Sequence, residues 1–183
     1  MMLGAEGRDS LFKSSLTISV AEQIIAFVPV YTEAGEATAL WLQDGRVLID
    51  QRGIRTCLQT FWRHYGFDWV AYRREYAPLL NRKNLLPWPA DVRRTFAPAK
   101  LRSPQIGRDP AYGYFAVEQV QSVQATDAGQ AAATMVHFRN GSQLPVYLST
   151  EEVHRSLQAA AYAAQQFWRR RLGPSRAESD WTG

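Results

Sequence analysis

Thr38-Ala-Leu-Trp-Leu-Gln-Asp-Gly-Arg-Val-Leu-Ile49 leads into an apolar-periodic run from Ile54 to Tyr65. Thr134-Met-Val-His-Phe-Arg-Asn-Gly-Ser-Gln-Leu-Pro-Val-Tyr-Leu148 leads into another, from Thr150 to Arg171. Asp44-Gly45 and Asn140-Gly141 each lie between two strand-like runs, and such pairs tolerate the positive φ that a tight hairpin requires. The spacing therefore predicts an α+β fold of antiparallel β hairpins, each followed by a helix. The strand-turn-strand-helix unit occurs twice, as a pseudo-duplication.

The flanks of these stretches sharpen the expectation. Asp50 is placed to cap the first helix. Ile54, Leu58, Phe61, Trp62 and Tyr65 recur on one face, and Gly66 closes the helix as a C′ residue. Ser149 followed by Glu152 satisfies the capping-box pattern for the second helix. Val153, Leu157, Ala161, Ala164 and Trp168 line one of its faces before Gly173-Pro174 ends it. Upstream, Ile24 to Tyr31 reads as a strand whose Pro29 demotes it to an edge or introduces a break. Phe67, Trp69, Val70 and Tyr72 read as a short strand. Five prolines between Pro78 and Pro104 then mark 67–109 as a long irregular connection, which inside a compact domain is a prior for a binding loop. Tyr112–Val117 and Val120–Val123 return to strand. A loose leader at 1–15, one α+β domain at 16–173 and a disordered tail at 174–183 complete the organisation.

The net charge of +4 conceals an asymmetry. Residues 51–110 carry twelve Arg or Lys and four acids, a local net of +8, and the remainder has a net of −4. Arginine supplies eighteen of the twenty-one cations, and its planar fork suits phosphate oxygens. Concentrated in this way, the arginines raise the prior for a polyanionic partner. Cys57 is the only cysteine, so an internal disulfide is excluded. No apolar run reaches the eighteen or so residues of a membrane span, and a cytoplasmic location is the expectation.

Chemistry is poorly supplied. His64, His137 and His154 stand without HExxH spacing or an acidic cluster. Cys57 and His64 lie about two helical turns apart but lack an orienting group and an oxyanion site. The two Xaa-Gly turns join strands and do not open helices, so they are not phosphate loops. The expectation is a protein that is not an enzyme, with no catalytic residues, no metal and no cofactor.

The order of motifs resembles the ComK family of competence transcription factors over about Ile24 to Phe167. The likeness rests on Thr56-Cys57, Tyr65-Gly66 and Arg73, then on the stretch Arg82-Lys83-Asn-Leu-Leu-Pro87. It continues through Phe96-Ala-Pro98-Ala-Lys100-Leu-Arg102-Ser103, the aromatic strand Gly113-Tyr-Phe-Ala-Val117 and Phe138-Arg-Asn-Gly141. Gly113-Tyr114 stand where the family pattern has a cysteine, and the Phe-Pro-Thr segment is altered. The repeated units also resemble LytTR-type DNA-binding domains at the level of fold. The ComK resemblance implies a transcription regulator of competence genes, an activator that binds AT-rich promoter DNA largely through the minor groove as a homo-oligomer. It also implies a possible proteolytic adaptor as partner. An arginine-dominated segment agrees with this, because narrow AT-rich minor grooves attract inserted arginine.

The candidate DNA contacts are Arg63, Arg73, Arg74, Arg93, Arg94, Lys100 and Arg102. Phe167 and Trp168 are the candidate oligomer interface, near the end of an alanine-rich helix. The alternative is a regulatory module whose arginine-rich surface takes an acidic protein or ligand.

Overall fold

Both hairpins form where the sequence places them, and each is followed by its helix. The computed structural model describes residues 18–173, apart from 105, 106, 108, 109 and 128. The expected leader and tail lie outside the described residues. In order the elements are α1 (Ile18–Ala21), β1 (Ile24–Thr32), β2 (Gly35–Leu42), β3 (Val47–Asp50), α2 (Ile54–His64) and α3 (Trp69–Leu79). There follow β4 (Trp88–Asp91), β5 (Arg94–Lys100), β6 (Tyr112–Ala116), β7 (Val120–Ala125), β8 (Thr134–Phe138), β9 (Gln143–Val146) and α4 (Thr150–Leu172). One antiparallel sheet runs β3-β2-β1-β6-β5-β4, and a second runs β7-β8-β9.

The pseudo-duplication extends further than the hairpins. β1-β2-β3-α2 and β7-β8-β9-α4 share one hydrogen-bond frame at an offset of 96 positions, from Ile24–Pro29 of β1 onward through the paired strands. Ile24↔Leu42, Phe27↔Leu40 and Pro29↔Thr38 become Val120↔Phe138, Val123↔Val136 and Ala125↔Thr134. Even the bulge recurs, between Ile24 and Ala26 and again between Val120 and Ser122. The buried Thr38 and Thr134 each donate a side-chain hydrogen bond to the carbonyl fourteen residues on, Arg52 at 2.9 Å and Leu148 at 2.7 Å. Each tie fixes the chain just ahead of the following helix.

Residues paired across a strand share a face. Ala26 pairs with Trp41 on one side and Phe115 on the other, and Phe138 of the second sheet sits 6.4 and 6.3 Å from those two rings. Phe27, on the opposite face, meets Phe61 of α2 edge-on at 4.7 Å. The large sheet is thus held between α2 and the second sheet, while α4 packs along β5 and β4. Gly113 is required at this junction: a Cβ there would lie 2.1 Å from the Phe27 carbonyl oxygen.

Several expectations are corrected. Phe67 to Tyr72 do not form a strand. Asp68 Oδ1 accepts from Ala71 N at 3.0 Å and starts α3, whose Trp69, Tyr72 and Tyr76 recur at helical spacing. The connection at 67–109 is not irregular either, since it holds α3, β4 and β5. Its prolines sit where no ladder bond is lost. Pro78 lies in the last turn of α3, and β4 is an edge strand. Pro98 lies beyond Phe96, where the pairing of β5 with β4 stops. By the same logic β1 is central rather than an edge, because its pairing with β6 ends at Phe27, short of Pro29.

Asp50 does not cap α2. Gly53 is the N-cap, without a side-chain bond, and the buried Asp50 carboxylate instead holds Arg52 at 2.6 Å. On α4 the capping box forms, but Ala161 is exposed. The buried stripe is Val153, Ser156, Ala160, Ala163, Ala164 and Phe167.

Candidate nucleic-acid interface

The seven candidate cations do not form one surface. Arg94 is buried, and its guanidinium donates to the Ala21 and Glu22 carbonyl oxygens, to the Tyr65 hydroxyl at 2.6 Å and to Asp91 at 2.8 Å. It binds α1, α2 and β4 together, and burial pushes the Tyr65 phenol beside it up. Arg102 is also buried, paired with Glu36 at 3.1 Å and stacked 3.9 Å from the Tyr31 ring. These two arginines serve the fold and are corrected out of the DNA footprint. Sequence offers little sign of this, because apart from Asp91, three residues before Arg94, their partners lie far along the chain.

Lys100 is half-buried at the far end of β5 from Arg93, roughly 20 Å away at strand rise. Arg93 is exposed at the tip between β4 and β5, and Arg63 is exposed near the end of α2. Only Arg73 and Arg74 come together. With Lys83 they rim a concavity of about 500 Å³ floored by Trp69, Val70, Ala77 and Pro78, and no acidic residue lines it. Arg73 is steadied by a 3.1 Å bond to Asn84 Oδ1. Lys83 and Val70 are not among the candidates the sequence offers, and Val70 reads there as part of a strand. The spacing of Trp69, Tyr72 and Tyr76 was the signal that would have placed α3 and its outer face.

The way α3 is presented follows from local chemistry. Gly66, at φ +61°, ends α2 in a Schellman turn, with Gly66 N donating to Arg63 O and Phe67 N to Trp62 O at 2.7 Å. Asp68 then starts α3. Trp62 and Trp69 stack face to face at 4.3 Å across the joint. Tyr72 and Tyr76 turn inward, where the Tyr72 hydroxyl donates to Pro87 O at 2.7 Å.

Phe167 is corrected as an oligomer anchor. It is buried in the chain's own core beside Phe67, Tyr72 and Tyr76, at ring separations of 5.6 to 5.9 Å. Trp168 is half-buried next to it, edge-on at 4.9 Å.

Cys57 is buried, and burial pushes its thiol far above the ordinary range, so it stays protonated and packs as a small apolar group. His64 is exposed. Among the described residues no helix is long and apolar enough to cross a membrane, and no His, Cys, Asp and Glu cluster could hold a metal ion. A second concavity, of about 350 Å³, is lined by Arg82, Asn84, Tyr112 and Arg155 but also by Glu152, which makes it a poorer fit for a polyanion. Comparison with protein-family models, curated proteins and solved structures finds no match.

Proposed function

We propose that this protein is a DNA-binding transcription regulator that recognises AT-rich promoter DNA and assembles on it as a homo-oligomer. The observation that carries the proposal is the convergence of Arg73, Arg74 and Lys83 on one concave, acid-free surface. Phosphate contacts from such a rim supply affinity for any duplex and position the protein along it. The likeness to the ComK family supplies the preference for AT-rich promoters, the link to competence genes and the adaptor partner. Oligomer formation rests on the same likeness, with Trp168 as the one proposed interface residue left partly accessible.

The experiment is a duplex titration at two salt concentrations with AT-rich and GC-rich DNA. Binding should weaken steeply with salt and favour the AT-rich duplex. Reversing both charges, Arg73→Glu with Arg74→Glu, should lower affinity by at least tenfold for every sequence while leaving the melting temperature in place, because both residues are exposed. Salt-insensitive binding, or none, would overturn the proposal. A second reading, an acidic protein segment in the same concavity, is favoured by its apolar floor, where Val70 is 77% exposed. That reading gains if the double reversal abolishes capture of an acidic amphipathic peptide but changes nothing on DNA.

A further inference from the structure

The geometry points to α2 and α3 as a helix-turn-helix, with α3 as the helix that enters the major groove and Val70 as a reader of thymine methyl groups. This rests on the DNA-binding reading above and specifies the groove and the residues.

Two helices of eleven residues each are joined by the four residues Tyr65 to Asp68, a connection of the length and glycine content that such motifs use. The joint is fixed at three points: the Schellman bonds at Gly66 and Phe67, the Asp68 cap, and the stacked pair Trp62–Trp69. α2 is anchored to the sheet by Ile54, Cys57, Leu58, Phe61 and Trp62, so α3 is carried as a rigid arm. At 100° per residue, Val70, Arg73, Arg74 and Ala77 fall on one arc opposite the buried Tyr72 and Tyr76.

The outer arc has the composition that groove reading requires. Val70 is an apolar residue left 77% exposed, a placement that suits contact with the thymine C5-methyl, which only the major groove displays. The exposed Arg74 side chain makes no hydrogen bond or ion pair among the described residues and is placed to reach a base edge, while Arg73 and Lys83 flank it to contact phosphates. α2 suits the accompanying role of the helix that crosses the backbone. It contains no acidic residue, and Arg55, Gln59 and Arg63 lie exposed in a row at four-residue spacing. α3 is about 16 Å long at helical rise, which is commensurate with a groove about 12 Å wide. The family likeness implies the minor groove. The helix pair favours the major groove, and the AT preference then comes from methyl contact.

Base analogues separate the grooves. Exchanging A·T for inosine·C pairs keeps the minor-groove pattern of A·T and changes the major groove to that of G·C, whereas exchanging thymine for uracil removes the methyl alone. Full-length protein should bind the AT-rich duplex more weakly after either exchange, with about a threefold to fourfold loss for each contacted methyl. Val70→Ala should still bind the duplex and should no longer distinguish thymine from uracil. Its exposed position and a helix-favouring substitute keep the fold intact, which circular dichroism would verify. If neither exchange alters affinity, DNA binding stands and the major-groove assignment is wrong. Sensitivity to uracil that survives Val70→Ala would also overturn the assignment of Val70. Absence of salt-dependent binding to any duplex would overturn the function itself.

Discussion

The two repeated units share a hydrogen-bond frame over their strands but carry different helices. Phe138 N donates to Ser142 O at 2.9 Å as Leu42 N donates to Arg46 O at 2.9 Å, and Arg139 N reaches Gln119 O as Gln43 N reaches Gln23 O. Yet α2 ends after eleven residues at a glycine that launches α3, and its outer face is basic. Its counterpart α4 runs for 23 residues, opens with Glu151 and Glu152, and buries small side chains against β5. The hydrogen-bond frame is shared while the outward residues differ, because the frame needs only matched spacing and two threonines, whereas a surface answers to its partner. One unit displays a candidate interface. The other braces it, as Phe167 shows by packing beneath α3.

Equivalent substitutions in the two units test how far this kinship reaches. Leu42 and Phe138 occupy matching buried positions, and truncation to alanine should cost about 3–5 kcal/mol for Phe138 and about 2–5 kcal/mol for Leu42. Both variants should shift one common unfolding transition in calorimetry, since Phe138 packs on Trp41 and Phe115 of the first sheet. Two separate transitions would show the units to be independent domains. Thr38→Val and Thr134→Val each remove the buried hydroxyl that donates to the carbonyl fourteen residues on, for about 1–2 kcal/mol. Near-equal losses in chemical denaturation would confirm the shared role.

Glu118 sharpens the contrast, since it is half-buried where its counterpart Glu22 is exposed. Burial raises the Glu118 carboxyl above its ordinary value of 4.5, although Thr95 N donates to it at 2.9 Å. The folded state therefore holds this proton more tightly than the unfolded state, and stability falls as pH rises from the ordinary glutamate range through the raised one. Glu118→Gln keeps the acceptor and should remove that decline, so melting curves of the two proteins should separate above the acid range. The smallest effect concerns the helix starts. Ser149→Ala should cost about 1 kcal/mol, and Gly53→Ser, at the matching position of α2, should add only a few tenths. A Cβ at Gly53 has room, 3.6 Å from Glu36 Oε2.

What the sequence determined depends on neighbours within a turn or two: both Xaa-Gly hairpins, the Gly66 stop and the capping box of α4, with the repeat following from their order, although the equally local Asp68 cap is not read from it. Such features are written in adjacent residues, because their bonds close over two to six positions. Tertiary structure decided the rest. Aromatic density at Phe67–Tyr72 alone suits a strand as well as a helix; the helical spacing of Trp69, Tyr72 and Tyr76 favours the helix, and burial of Tyr72 and Tyr76 against Phe167, about ninety positions away, secures it. Pro29 and Pro98 stand inside strands because neighbouring ladders stop short of them, which depends on strands distant in sequence. The basic segment shows the same limit. Arg94 and Arg102 were indistinguishable from Arg73 and Arg74 as letters, and the folded chain separated them by burying the first pair against partners that are mostly remote in sequence while leaving the second pair on the outer face of α3.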